Sequence, residues 1–344
     1  MAVLPSRPLL AVTIDRGDDG KRLDLVLRRH LTGVRSATRT RIQAWIAEGR
    51  ASINGAVVRR SATRVPPTAS LTLELPERAL RNVMAAEALP LDVLYEDAWL
   101  LAVNKPPGII VHPSYKHPAG TLMNALLWRA RDWPTGERPS LVGRLDKLTS
   151  GVVIVARTRE VHAKLQRALT SHDACKEYLA VVYGRVQSTR GEISLQLRRD
   201  GRDRRRVVAS SRDGVSSVTR YERLATIDAP RGSLSLLRCQ LMTGRLHQIR
   251  VHLAASGWPI VGDPTYGQPL WNTIEDPAFA GTLRSFPRQA LHAWRVAFAH
   301  PITGRLCTLE APLPSDIREL LAQIQAHVGL PGYEHVGTWQ AERL

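Results

Sequence analysis

The 344-residue sequence predicts an α+β fold, with a mainly antiparallel sheet in its larger part and a small α/β unit before it. Apolar, β-forming stretches recur between long irregular segments with only a few helical patterns among them, which favours an antiparallel sheet over regular β-α alternation. The first 81 residues instead combine a short helical pattern with a candidate hairpin, which is typical of a separate small unit. A chain of this length accommodates about two domains.

In the N-terminal unit, residues 36–48 are predicted to form a helix, because Ile42, Trp45 and Ile46 fall on one face. Residues 51–58 predict a tight hairpin with an Asn-Gly turn, and residues 70–75 alternate as a strand does. The arginines on or beside the helix that lie off its apolar face are Arg35, Arg39 and Arg41. These patterns predict a basic mini-domain over residues 1–81.

The larger part is predicted to follow a linker at 82–93, to span residues 94–325 and to end in a polar tail at 326–344. Its predicted strands are residues 99–104, 151–156, 178–183, 234–241 and 294–298. Its predicted helices are residues 121–131, 158–170, 246–255 and 316–328.

The charge indicates the kind of partner. Lys and Arg number 48 against 31 Asp and Glu, and residues 1–81 alone hold 15 against 7. A net charge of +17 favours a polyanion, nucleic acid before an anionic membrane, although a merely basic protein is the alternative. We expect no membrane partner, because neither a long apolar run nor a strongly apolar amphipathic helix is present. The N-terminus lacks a signal-peptide pattern, so a cytoplasmic protein is expected.

Several kinds of site are not expected. Cys175, Cys239 and Cys307 are far apart, which excludes a disulfide framework and a Cys-x-x-Cys metal site. The sequence also has neither of the glycine-rich phosphate loops of nucleotide-binding folds. We therefore expect neither a cofactor nor a metal, and a methyltransferase is disfavoured.

A lone carboxylate stands out in residues 143–151, Gly-Arg-Leu-Asp-Lys-Leu-Thr-Ser-Gly, directly before an apolar strand. Arg144 and Lys147 flank Asp146, and neighbouring cations keep a carboxylate ionised, ready to act as a nucleophile or base. The alternative is an ordinary turn residue with surface ion pairs.

Two further segments carry candidate functional groups. In residues 241–253 a short helix places His247 and Arg250 three residues apart, so the arginine can reach a carboxylate on a neighbouring strand. The turn-rich residues 257–267 follow it. Tyr178, at the start of the strand in residues 176–184, could stack on a base or simply pack. The alternative for the helix is a cap without function.

Six arginines crowd residues 198–206, and we predict a mobile loop there that contacts RNA phosphates. A solvated loop without contacts is the alternative. The arginines expected to bind RNA are Arg202, Arg204, Arg205 and Arg206.

The N-terminal segment resembles the S4 RNA-binding domain over about 65 residues. The matching pieces are Arg22-Leu23-Asp24, Arg41-Ile42 through Ile46 to Gly49, and Ile53-Asn54-Gly55. This resemblance implies that the helix arginines offer guanidinium groups to RNA phosphates. A structural mini-domain with a solvated basic face is the alternative.

Residues 94–313 resemble the RluA-type pseudouridine synthases, in particular the RluC/RluD branch that carries an N-terminal S4 domain. The matching motifs lie at 94–113, 143–151, 176–184 and 244–263. The family usually has histidine where this chain has Gly143. The resemblance implies an antiparallel-sheet catalytic domain that isomerises uridine in structured RNA, with large-subunit (23S) ribosomal RNA or the assembling subunit as substrate, and a monomeric protein.

The resemblance also implies roles for four residues. Asp146 would be the essential carboxylate, which either attacks C1′ or takes the 2′ proton, and Arg250 would pair with it. Tyr178 would stack on the uracil, and Arg144 would fill the space left by the flipped nucleotide. A non-catalytic RNA-binding or ribosome-assembly protein on the same scaffold is the alternative function.

Overall fold

The computed structural model describes residues 9–14, 18–31, 34, 37–76, 84–114, 117–227 and 232–328. The chain divides into two compact units, Met1–Ala86 and Glu87–Leu344. In the described residues, no helix combines the length and apolar character needed to cross a lipid bilayer.

In its described residues, the smaller unit is a four-stranded antiparallel sheet with two helices. Its elements are β1 Leu9–Thr13, α1 Leu23–His30, α2 Arg39–Ala47, β2 Ala51–Ile53, β3 Ala56–Val58 and β4 Ser70–Glu74. The strand order is β1-β4-β2-β3. Ile42, Trp45 and Ile46 are buried, as the helical pattern predicts. Asn54 and Gly55, both with positive φ, form the predicted tight turn between β2 and β3.

The larger unit is built on an eleven-stranded sheet. Its strands are β5 Asp92–Glu96, β6 Leu100–Lys105, β7 Ser140–Val142, β8 Ser150–Ala156, β9 Cys175–Tyr183, β10 Arg190–Arg199, β11 Val207–Ser210, β12 Val215–Ile227, β13 Leu234–Leu241, β14 Leu291–Ala299 and β15 Leu306–Glu310. Its α-helices are α3 Leu122–Arg129, α4 Arg159–Ala168, α5 Gln248–Ala255, α6 Pro277–Ser285 and α7 Ser315–Val328.

The strand order of the large sheet is β11-β10-β12-β13-β9-β14-β8-β6-β5, with β15 beside β14 and β7 beside β8. Among the described strands, every pair is antiparallel except β8 with β14. The predicted α+β class with a mainly antiparallel sheet is therefore confirmed. The parallel pairing of β8 with β14, here called the central joint, lies near the middle of the sheet. At this joint Gly151 on β8 pairs with Ala293 on β14, and Ala293 pairs with Tyr178 on β9.

Two domain boundaries differ in detail from the predicted ones. Residues 87–93 of the predicted linker pack with the larger unit, because the Glu87 amide donates to Asn124 and its carboxylate accepts from Gly120. Helix α7 continues to Val328, so it includes the first residues of the predicted tail. Residues 329–344 lie outside the described part of the chain.

Gly151 is required by the close approach of β8 to β14. Its φ is +117°, and a Cβ atom there would overlap the backbone carbonyl of Ala293. We expect Gly151→Ala to lower the free energy of unfolding by about 2–4 kcal/mol, measured by urea denaturation. Gly281→Ala is the control, because nothing lies near that position of α6 and alanine favours a helix. Equal stability of the two variants would contradict a tight joint.

Candidate active site

Asp146 lies in the segment that connects β7 to β8, beside the central joint of the sheet. Buried Leu145 and Thr149 anchor this segment on either side of Asp146, whose own side chain is 17% exposed. The carboxylate is therefore held at the surface of the sheet but remains reachable.

Arg250, on helix α5, reaches Asp146. The sequence predicts that this arginine can reach a carboxylate on a neighbouring strand. Arg250 Nη1 donates to Asp146 Oδ2 at 2.9 Å, and the guanidinium is only 5% exposed. The start of α5 is fixed by Gln248, whose amide donates to Val218 and Thr219 on β12. The helix therefore delivers Arg250 to the carboxylate from a rigid position.

A second carboxylate, Asp263, holds the other edge of the Arg250 guanidinium. Nε and Nη2 donate to its two oxygens, each at 2.7 Å, and Asp263 also accepts the amides of Thr265 and Tyr266. Burial alone would raise the pKa of Asp263, but the hydrogen bonds and charge of Arg250 outweigh it and hold that pKa below its usual range. Asp263 thus fixes the plane in which Arg250 meets Asp146.

Asp146, Arg250 and Tyr178 line one cleft of about 330 Å³, together with Gly143 and Arg144. Tyr178 lies on β9, is half-buried and faces Ala293 across the sheet. Burial, with a further contribution from the charge of Asp146, raises the pKa of the Tyr178 hydroxyl. The phenol is neutral at physiological pH even with its ordinary pKa of about 10, and this shift keeps it so. The structure therefore brings together all three residues predicted to be catalytic, and places Arg144 at the same cleft.

His247 and Tyr266 complete the surroundings of Asp146. His247 Nε2 lies 3.6 Å from Asp146 Oδ1, and its Nδ1 lies 2.8 Å from the Tyr266 hydroxyl. The sequence predicted that His247 and Arg250 share a face, but it indicated no role for His247, Asp263 or Tyr266. The sequence did carry a signal for them, because His247 and Asp263 lie within the last family motif, at 244–263, and Tyr266 lies in the turn-rich residues 257–267.

Lys105 is a further charged residue close to Asp146 that the sequence did not indicate. Its side chain is fully buried at the end of β6, and Nζ donates to the carbonyls of Pro106, Ile109 and Lys147. Burial and the charge of Arg288 lower the pKa of Lys105 to about 7, while Asp146 acts in the opposite direction. Lys105 therefore ties the loop after β6 to the segment that carries Asp146.

The arginine-rich residues 198–206 differ from the loop that was predicted. Arg198 and Arg199 belong to β10, and the rest is the turn of the β10–β11 hairpin. Asp200 Oδ1 accepts the amides of Arg202 and Asp203, which gives this turn a defined hydrogen-bonded geometry. These residues thus form the end of a strand and a short turn, and their mobility and contact with RNA phosphates stay predictions.

Within this turn the four predicted RNA-binding arginines differ in their contacts. The Arg205 guanidinium pairs with Asp203, and Arg206 donates to the Thr265 carbonyl and lies over the Tyr266 ring. Arg202 and Arg204 are exposed. The latter two are thus best placed to contact phosphates.

In the smaller unit, Arg39 and Arg41 are exposed on α2, whereas Arg35 lies outside the described residues. Arg39 also donates to buried Asp24 at 3.3 Å. Burial alone would raise the pKa of Asp24, but hydrogen bonds, first from Arg22 and then from Gln43 and Arg39, lower it to about 2. Arg39 therefore stabilises the fold in addition to any contact with RNA.

Among the described residues, no group of three His, Cys, Asp or Glu side chains is placed to hold a metal ion. The three cysteines are free thiols.

Comparison with known proteins identifies the class of this site. Residues 99–255 match the family model of RNA pseudouridylate synthases. The chain is 37% identical to the RNA pseudouridine synthase YlyB of Bacillus subtilis, over 84% of this chain and 90% of the relative. The chain therefore belongs to the RluA-type RNA pseudouridine synthases, which are isomerases, and the resemblance predicted from its motifs is confirmed.

Other relatives have names that state a substrate. The ribosomal large subunit pseudouridine synthase D of Xanthomonas campestris is 38% identical, over 89% of each chain. That of Pseudomonas aeruginosa is 37% identical, over 89% of this chain and 92% of the relative. The solved structure of human RNA pseudouridylate synthase domain containing 4 has the same fold, with a TM-score of 0.54 and 24% identity, covering 68% of this chain and 93% of that one.

Proposed function

We propose that this RNA pseudouridine synthase isomerises uridine in structured RNA of the large ribosomal subunit, with Asp146 as its single catalytic carboxylate. The observation that carries the proposal is the ion pair between Asp146 and Arg250, at 2.9 Å, in a cleft that Tyr178 also lines. The names of the Xanthomonas and Pseudomonas relatives support the choice of ribosomal RNA.

The reaction needs an anionic, oriented group at the sugar. The N1–C1′ bond breaks, the uracil turns, C5 bonds to C1′, and the proton on C5 leaves. Asp146 either attacks C1′ or removes the 2′ proton, and in both cases Arg250 keeps it charged and aimed. Tyr178 contacts the uracil as a neutral phenol. Arg144 fills the gap in the stack, where its planar guanidinium offsets part of the cost of flipping the nucleotide.

Each of the two units has its own role in the proposed function. The first, over residues 1–81, is an S4-like module whose exposed Arg39 and Arg41, with Arg35, contact phosphates. The second, over residues 94–325, holds the chemistry and acts without a cofactor. The protein acts as a monomer in the cytoplasm, on free or assembling large-subunit RNA.

A tritium-release experiment tests the function and the substrate. Transcripts of large-subunit ribosomal RNA, small-subunit ribosomal RNA and transfer RNA are labelled at uracil C5, because isomerisation releases that hydrogen to water. We expect release from the large-subunit transcript alone. Release only from transfer RNA contradicts the proposed substrate. Binding to every transcript without any release contradicts catalysis and supports the RNA-binding alternative.

The arginine-rich turn is expected to bind RNA phosphates. Changing both Arg202 and Arg204 to glutamine should weaken RNA binding and flatten the dependence of log K on log salt by roughly 0.7–0.9 for each phosphate that is no longer neutralised. Filter binding over a salt series measures this. The control changes Arg284 and Arg318 to glutamine, because these exposed arginines on α6 and α7 do not line the cleft. Identical salt slopes for the two double variants contradict the proposed role of the turn.

A further inference from the structure

The hydroxyl of Tyr266 joins the active-site cleft to the end of the arginine-rich turn. It lies 2.9 Å from the backbone nitrogen of Val207, the first residue of β11, and 2.8 Å from Nδ1 of His247. The ring also contacts two guanidinium groups, those of Arg250 and Arg206. Tyr266 therefore has little freedom to turn, and its hydrogen bonds have defined directions.

Those directions favour one tautomer of His247. The Val207 amide can only donate, so the phenol oxygen accepts from it. If the phenol's own O–H donates to the unprotonated Nδ1 of His247, all three groups are satisfied. In this arrangement the proton of the neutral imidazole is on Nε2, which lies 3.6 Å from Asp146 Oδ1.

This tautomer matters for the carboxylate. An Nε2–H directed at Asp146 stabilises its negative charge, whereas a ring protonated on Nδ1 would direct a lone pair at it and repel it. Since Oδ2 is taken by Arg250, His247 acts on the other oxygen, Oδ1. The left-handed backbone of His247, with φ of 53°, places the ring in this position just before α5 begins.

We propose that Tyr266 is a positioning residue for isomerisation: its hydroxyl fixes His247 with the proton on Nε2, and His247 in turn orients Asp146. This inference rests on the proposed role of Asp146. It also makes the geometry at Asp146 depend on Val207, so that RNA contacts on the adjacent turn are connected to the carboxylate through one hydroxyl.

The main test is Tyr266→Phe, which keeps the ring and removes only the hydroxyl. We expect kcat to fall roughly 10- to 100-fold while KM for RNA changes less than about threefold, because substrate contacts are retained. Tyr183→Phe is the control, since that buried tyrosine of β9 does not line the cleft. A kcat for Tyr266→Phe equal to that of the control overturns the proposal.

A double-mutant cycle separates positioning from a general structural effect. If Tyr266 acts through His247, then Tyr266→Phe has no further effect on kcat in a His247→Ala background. Additive losses overturn the proposal. The unmodified protein and an Asp146→Asn variant are assayed beside these variants. If the unmodified protein is inactive, or if Asp146→Asn is active, the proposed function has failed, and the result says nothing about Tyr266.

Two readouts report directly on His247. Long-range ¹H–¹⁵N NMR of the histidine-labelled protein, assigned with His247→Ala, should show the Nε2–H tautomer, and an Nδ1–H tautomer overturns the proposal. The second readout is the titration of His247, followed by the same NMR signals. Burial lowers the pKa of His247, and Asp146, Asp263, Arg250 and Arg144 all act on it. The phenol donor stabilises the neutral ring, so losing it raises that pKa, and His247 should titrate at higher pH in Tyr266→Phe than in the unmodified protein. An unmoved titration counts against the proposal.

Discussion

Asp146→Asn is expected to lower the rate of isomerisation by at least about 10⁴-fold, since an amide can neither attack C1′ nor accept the 2′ proton. Asparagine keeps the size of the side chain and an oxygen acceptor for Arg250 Nη1. Arg250 also retains both hydrogen bonds to Asp263, so the fold around the site should persist. RNA affinity should therefore change little. Tritium release under single-turnover conditions and filter binding measure the two effects separately.

The matched control for this variant is Asp132→Asn, an exposed carboxylate of the same unit whose side chain is 75% exposed. It removes the same charge without touching the cleft, so its tritium release should equal that of the unmodified protein. Retention of more than about a hundredth of the normal rate by Asp146→Asn would mean that another group carries the chemistry. A large loss of RNA affinity would show instead that the carboxylate serves binding.

The elements that could be predicted from sequence are those with a simple burial pattern. Strands β6 and β8 are mostly buried, and their sequences contain continuous apolar runs at 100–103 and 152–156. Strand β13 was also predicted, although Ser235, Arg238 and Gln240 interrupt its apolar residues. The sequence of helix α2 shows, at helical spacing, the apolar residues that are buried in the structure.

By contrast, β10 and β12 are not among the predicted strands, although residues 191–197 of β10 alternate as a strand does, with buried Ile193 and Leu197 between exposed polar residues. The cluster of arginines at the end of β10 indicated a loop instead. In the structure the strand continues through Arg198 and Arg199 because both pair with β11, and one segment of sequence does not display that pairing.

The parts of the site that could be predicted are those within contiguous motifs. Asp146 has flanking cations and Arg250 has a helix that can deliver it, yet the two are 104 residues apart, and the family resemblance supplied their pairing. Asp263 and Tyr266 come from a loop whose sequence indicates only turns. Their partners are set by how that loop folds back on α5. The position of Lys105 could not be predicted for the same reason, because its burial depends on three carbonyl groups that belong to two different loops.

Arg250→Ala should be the most destabilising change in the cleft and should also abolish most activity. It leaves Asp263, which has a fully buried side chain, without its cation, and an unpaired buried charge costs about 3–5 kcal/mol. It also leaves Asp146 without the group that aims it, so tritium release should fall by at least about 100-fold. Urea unfolding and single-turnover assays of the same preparations measure the two losses.

The pH dependence of stability distinguishes a buried ion pair from simple loss of packing. In the unmodified protein the pKa of Asp263 is lowered, so its contribution to stability is present above the pKa of an unfolded aspartate and is lost as pH falls through the lowered value. In Arg250→Ala burial, the largest influence on this carboxyl, is opposed only by the amides of Thr265 and Tyr266, so we expect the pKa of Asp263 to rise above the unfolded one. The penalty is then greatest at neutral pH and shrinks as protonation neutralises the carboxyl. The stability difference between the two proteins should therefore narrow from pH 7.5 toward about pH 5. A constant difference would indicate lost packing.

Removing Asp263 as well separates folding from chemistry. In the double variant with Arg250→Ala and Asp263→Ala no unpaired charge stays buried, so at least half of the lost stability should return at neutral pH, although the Thr265 and Tyr266 amides lose their acceptor. Activity should not return, because Asp146 still lacks its guanidinium. Recovery of both together would mean that Arg250 serves only to hold the fold. Recovery of stability alone assigns to Arg250 a function at the carboxylate that folding does not explain.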